Sequence, residues 1–239
     1  MIKKFSALLS TTILSTTIKP ALFCLVMASL VMAGQALIVN NTVFAVNKTP
    51  ATILVLGDSL SAAYGININE GWVALLQQQV INEGYDYKVI NASVSGDTTR
   101  TGLSRIDSTL KSHEPEIVII ALGGNDGLRG LAFSEIENSL SSIIESCKKQ
   151  HAEILLLGVR LPPNYGPVYN KQFAELYQRL AEHFDISLLP KMLDQVADNR
   201  ELMQDDGMHP KAQAQPLVMK NVWAGLKSIL EKEEEKDNK

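Results

Sequence analysis

The 239-residue chain predicts an α/β protein, a single parallel sheet covered on both faces by helices. Three observations predict it. Five short apolar runs recur along the chain, helical periodicities fill the gaps between them, and the runs end in clusters of Gly, Ser, Asn and Asp. At 46% hydrophobic and 20% charged residues, the chain can bury a core of domain size.

The runs are Thr52–Leu56, Tyr87–Ile90, Glu116–Leu122, Ala152–Leu157 and Ile186–Leu189, each short enough for a strand buried on both faces. Phe133, Ile136, Leu140, Ile143, Ile144 and Cys147 recur at three-to-four spacing and predict one helix. Phe173, Leu176, Tyr177, Leu180 and Phe184 predict another, and Leu217, Val218, Val222, Leu226 and Leu230 a last one. Cys147, Trp72 and Trp223 read as core residues of their helices. The segment 231–239, dense in Glu and Lys, reads as a disordered, solvated tail beyond the last helix. No internal repeat and no Pro- or Ser-rich linker divides residues 46–230.

Residues 1–45 are set apart from this domain. Ala21–Val39 carries no charge, and Lys3, Lys4 and Lys19 precede it. The pattern reads as a secretory signal with small residues before cleavage points after Ala33 or Ala45, or else as an uncleaved membrane anchor. Either reading exports the domain, to the periplasm or beyond, or leaves it anchored to the inner membrane facing out. With the leader removed, Cys147 is the one remaining cysteine and no internal disulfide can form. The 22 basic and 26 acidic side chains give −4, and discounting the three leader lysines makes it −7. That acidity excludes nucleic acid as a partner.

In a parallel sheet ligands gather outside the carboxyl ends of the strands. Four clusters fall there or can reach it: Gly57-Asp58-Ser59, Gly96-Asp97-Thr98, Gly124-Asn125-Asp126 and Asp205-Asp206-Gly207-Met208-His209. Each alone is ordinary turn chemistry. Together they supply a nucleophile, a base, an orienting carboxylate and oxyanion donors. Ser59 stands at a strand-to-helix junction. His113, His151 and His183 precede strands and lie at the opposite edge, which leaves His209 as the base. Asp206, three residues earlier, can fold back onto its ring. The N–H groups of Ser59 and Gly96 and the Asn125 amide are the candidate oxyanion donors, while Asp58 and Asp126 read as local turn or cap acceptors. A metal-dependent phosphoesterase using Asp58, Asn125, Asp206 and His209 is the rival, weakened by the lack of a second histidine at this edge. A binding module without catalysis has no use for the full set.

These residues resemble the four motif residues of the SGNH (GDSL) hydrolases, with Ser59, Gly96, Asn125 and His209 in the four places and Asp206 completing a triad. The likeness runs from about Ala51 to about Leu230 and is strongest to the exported bacterial thioesterase, lysophospholipase and arylesterase subgroup. It implies a three-layer, flavodoxin-like α/β/α fold with a five-stranded parallel sheet, an open site and no cofactor or metal. It also implies hydrolysis of small acyl esters, thioesters or lysophospholipids, with acetyl-sugar esters a further option within the family. Residues 159–166 resemble the subgroup's mobile loop beside the acyl groove, which makes Leu161, Pro162, Asn164 and Tyr165 substrate-contact candidates; Tyr165 either faces the groove or closes its own loop. A monomer is expected, with membrane proximity through the leader.

Overall fold

The computed structural model describes residues 50–237. The leader lies outside the described residues. Five strands, β1 (Ala51–Gly57), β2 (Tyr87–Asn91), β3 (Ile117–Ala121), β4 (Glu153–Leu157) and β5 (Ser187–Leu189), pair in parallel in the order β2-β1-β3-β4-β5. Among the described residues, six helices accompany them: α1 (Trp72–Asn82), α2 (Thr99–His113), α3 (Gly124–Leu128), α4 (Phe133–Lys149), α5 (Pro167–Phe184) and, after the last strand, α6 (Gln215–Asp237).

Strand side chains alternate between faces, so each central strand supplies two cores. Ile53, Val55, Ile117, Ile119, Leu155 and Leu157 pack with Leu76, Val80, Val218, Val222 and Leu226 of α1 and α6. Leu54, Leu56, Val118, Ile120, Ile154 and Leu156 pack with Ile106, Leu140, Ile143, Leu176 and Leu180 of α2, α4 and α5. This double burial is why the central runs are continuously apolar. Trp72 is buried and Trp223 packs partly buried against the first of these cores. Cys147 is buried in the second, and burial pushes its thiol up to about 12, out of reach of thiolate chemistry at neutral pH.

Two expectations change. The segment after β1 is a series of turns over 59–65, and no regular helix begins until Trp72. Ala62 N–H reaches Asp58 O at 2.9 Å, but Ala63 at φ 58° and Gly65 at φ 73° prevent the turn from propagating. The charged terminus is not a tail beyond the last helix: α6 continues through it to Asp237. Its residues are solvated, yet Glu and Lys are good helix formers, and Lys227 and Glu231 sit one turn apart at 3.9 Å.

The order β2-β1-β3 puts a crevice where the chain leaves β1 one way for β2 and returns the other way to β3. The loops after β1, β2 and β3 all open onto it.

Candidate active site

Ser59 follows β1 by two residues, and its Oγ lies 2.8 Å from His209 Nε2. His209 Nδ1 lies 2.6 Å from Asp206 Oδ2. The other carboxylate oxygen, Oδ1, accepts the backbone N–H groups of Met208 at 2.9 Å and His209 at 3.0 Å. Burial works against ionisation of Asp206, but these N–H donors, the imidazole hydrogen bond and the imidazole charge together hold its carboxyl down at about 2. Asp206 therefore stays an anion over the whole range in which an imidazole can act as a base.

The loop that carries His209 is pinned from several sides. Gln204 N–H donates to His209 O at 2.7 Å, and Met203 pairs with Pro210 as an antiparallel bridge. The Gln204 side-chain amide donates to Tyr64 O at 2.8 Å, tying this loop to the turns that hold Ser59. Gln215, buried, accepts from Trp72 N at 3.0 Å and donates to Pro210 O. The Tyr64 ring rests 4.5 Å from the His209 ring, centroid to centroid. Sequence reasoning misses Tyr64 and Gln204, because neither carries a local signal for a contact made across 140 residues.

On the other side of Ser59, Asn125 is set at the first turn of α3, and its Nδ2 donates to Asp97 O at 2.9 Å. One amide hydrogen is thus fixed. The second has only Asp58 Oδ2 at a long 3.4 Å. The N–H groups of Ser59 and Gly96 donate to no group among the described residues. Gly96 has φ 85° and open space where a Cβ would stand, so its backbone conformation, not crowding, calls for glycine. Arg129 donates to Gly96 O at 3.2 Å and helps hold this loop.

Of the two neighbouring acids, Asp58 is the local turn acceptor expected, while Asp126 reaches a distant partner. Asp126 is 1% exposed and accepts from both the N–H (3.0 Å) and the hydroxyl (2.6 Å) of Thr99, which locks α3 to the start of α2. Asp58 is 2% exposed and accepts Leu60 N–H at 3.0 Å. Burial pushes its carboxyl up to about 6 against that hydrogen bond and the charge of His209.

An apolar cleft runs from these groups along Leu128, Val159, Leu161, Pro162 and Leu193. Leu161 and Pro162, two of the four loop candidates, line it. Asn164 and Tyr165 do not: Asn164 is exposed, and Tyr165 turns inward, donating its hydroxyl to Leu128 O at 2.6 Å and stacking on Tyr169. Tyr165 thus fastens its loop to the end of α3. His113 and His183 sit at the carboxyl ends of α2 and α5, and His151 comes just after α4, all at the opposite edge. Among the described residues, no cluster of three or more His, Cys, Asp or Glu side chains is arranged to hold a metal ion.

A flavodoxin-like sheet with a hydrogen-bonded serine, histidine and aspartate at its carboxyl edge is the arrangement of an α/β ester hydrolase. Comparison with known proteins supplies the family. The chain belongs to the GDSL-like Lipase/Acylhydrolase family, whose model matches residues 55–216. It is 47% identical over 179 residues to Esterase TesA of Pseudomonas aeruginosa, covering 75% of this chain and 89% of that one. It is 46% identical over 169 residues to Thioesterase 1/protease 1/lysophospholipase L1 of Escherichia coli K12, covering 70% of this chain and 79% of the relative. A crystal structure of TesA superposes with a TM-score of 0.73 at 47% identity, covering 74% of this chain and 98% of that structure. The protein is accordingly an ester hydrolase.

Proposed function

We propose that this is an exported serine esterase and thioesterase that works through a Ser59-His209-Asp206 triad and an acyl-enzyme, without metal or cofactor. The observation that carries the reading is the unbroken row from Asp206 Oδ2 to His209 to Ser59 Oγ, at 2.6 and 2.8 Å. With Nδ1 protonated toward Asp206, Nε2 is left with a lone pair facing the serine hydroxyl. His209 takes the proton as Ser59 Oγ attacks the acyl carbonyl. The N–H groups of Ser59 and Gly96 and the free hydrogen of the Asn125 amide receive the developing oxyanion. His209 then protonates the leaving alcohol or thiol, and water repeats the sequence on the acyl-enzyme.

The apolar cleft wall suits the acyl half of the substrate, and the open side leaves room for varied leaving groups. That breadth fits relatives named as esterase, arylesterase and thioesterase/lysophospholipase. Small acyl esters, thioesters and lysophospholipids are the proposed substrates. Export rests on the uncharged run Ala21–Val39 behind its lysines, and fractionation of expressing cells tests it.

The enzymatic test is hydrolysis of p-nitrophenyl butyrate in EDTA by residues 46–239 and by the Ser59→Ala variant. Turnover by the wild type alone supports the reading. Equal turnover removes Ser59 as nucleophile, and loss of wild-type activity in EDTA that added metal restores removes the metal-free mechanism.

A further inference from the structure

The strand order gives the cleft a direction. Ser59 comes after β1, Asn125 after β3, residues 159–163 after β4, and Leu193 and Ala197 after β5. An acyl chain with its carbonyl at Ser59 therefore lies across the carboxyl edge toward β5, along apolar walls. At the far end stands Arg160, whose guanidinium is paired with Asp198 from the loop after β5. Arg160, Leu193 and Ala197 also line a second, smaller hollow, together with Lys191, Asp194 and Asp198. The same three residues thus face both spaces, while Asp198 lines the second hollow and holds the Arg160 guanidinium from that side.

We propose that the Arg160–Asp198 ion pair is the end wall of the acyl groove and sets the longest acyl chain that the site accepts readily. The proposal rests on the reading of Ser59 as the acylated residue. Two strand spacings separate β1 from β4, about 10 Å at ~4.8 Å each. A methylene advances an extended chain by about 1.3 Å, the projection of a ~1.5 Å C–C bond, so about seven or eight methylenes reach the wall. A longer tail has to dislodge the pair or lie against Lys191 and Asp194, whose charges it would strip of water. Both partners of the pair have solvent access, so the wall is a latch of modest strength. Without Asp198, Arg160 can turn its head to water and lay its stem along the groove, joining the two spaces.

The test compares wild type, Asp198→Ala and the exchanged pair Arg160→Asp/Asp198→Arg on p-nitrophenyl butyrate, octanoate and dodecanoate. Wild-type kcat/KM should fall steeply between octanoate and dodecanoate. Asp198→Ala should keep the butyrate value within about twofold and raise the dodecanoate-to-butyrate ratio by about fivefold or more, the scale of one exposed ion pair. The exchanged pair should bring the ratio back toward wild type. An unchanged ratio in Asp198→Ala, or an exchanged pair as permissive as the alanine variant, overturns the wall. Binding of hexanoate and dodecanoate to wild type and Asp198→Ala, measured by calorimetry, keeps the two claims separate. If no ester is hydrolysed, the esterase reading fails, while a selective gain in dodecanoate binding by Asp198→Ala still supports the wall and equal binding overturns it.

Discussion

Replacing Asp206 by asparagine exchanges one oxygen for an NH₂ group, and the structure dictates where that group goes. Oδ1 holds two backbone N–H donors, at 2.9 and 3.0 Å, so the amide oxygen of an asparagine is drawn to the same place. The NH₂ group then faces His209 Nδ1, where Oδ2 now sits at 2.6 Å. Two donors cannot share that contact. The imidazole responds by carrying its proton on Nε2, toward Ser59, and can no longer act as the base. Restoring the useful tautomer means turning the amide over and losing both backbone bonds, about 1–1.5 kcal/mol each. Loss of the anion beside the imidazolium adds about 1.5–2 kcal/mol, the value of a charge-assisted bond. The sum of about 3.5–5 kcal/mol corresponds to a fall in kcat of about 10³, within a factor of a few either way. Asp206→Ala also loses the carboxylate but forces no tautomer, so it should keep about tenfold more activity than Asp206→Asn. The assay is kcat for p-nitrophenyl butyrate at neutral pH, with thermal unfolding as a check on folding. An asparagine variant within tenfold of wild type, or clearly better than alanine, refutes the argument.

Asn125→Ala should lower kcat by about 10²–10³ with little change in KM, and a loss below tenfold would remove its amide from the oxyanion site. Asp58, held at about 6 against an ordinary 3.8, keeps its proton in the folded state at pH values where the unfolded chain has lost it. Its contribution to stability is therefore greatest below about pH 4 and disappears as pH rises to about 6, a change of about 3 kcal/mol. Urea unfolding of wild type and Asp58→Asn at pH 4 and 7 reads this directly: the variant should lose less stability on going to pH 7, and identical pH responses would contradict it. Gly123 has φ 110°, and a Cβ there would run into the Tyr177 hydroxyl that donates to Leu122 O at 2.8 Å. Gly123→Ala should cost about 2–4 kcal/mol in urea unfolding; a cost under 1 kcal/mol would mean that the loop yields more easily than its contacts imply.

Features whose signal is local are legible in the sequence. Val118 to Ile120 is apolar at every position because β3 is covered on both faces, and that pattern needs no structure to be seen. The site residues are legible for a related reason: strand ends place Ser59 and Asn125, and only one histidine lies beyond the last strand, able to reach that edge. The contacts that hold them in place are not legible. Asp126 meets Thr99 across 27 residues, Gln204 meets Tyr64 across 140, and Arg160 meets Asp198 across 38. Such pairs depend on how loops from different strands fall together, and nothing adjacent in the sequence announces them. Tyr165 shows the same limit: its position in a Pro-rich loop beside the cleft fits either direction, and only the carbonyl of Leu128 decides it. The terminal stretch of Glu and Lys is solvated, as its composition implies, but solvation does not oppose a helix, and α6 simply continues through it.

The central claim is that Ser59 Oγ becomes covalently acylated, and trapping tests it most directly. An alkylphosphonate ester with a p-nitrophenyl leaving group presents a serine nucleophile with a phosphorus centre that is not readily hydrolysed once bound. Peptide mapping by mass spectrometry should find one phosphonyl group per chain, on Ser59, formed in step with loss of ester hydrolysis. The His209→Ala variant should form it far more slowly. A modified residue other than Ser59, or full inhibition with Ser59 unmodified, would contradict the account.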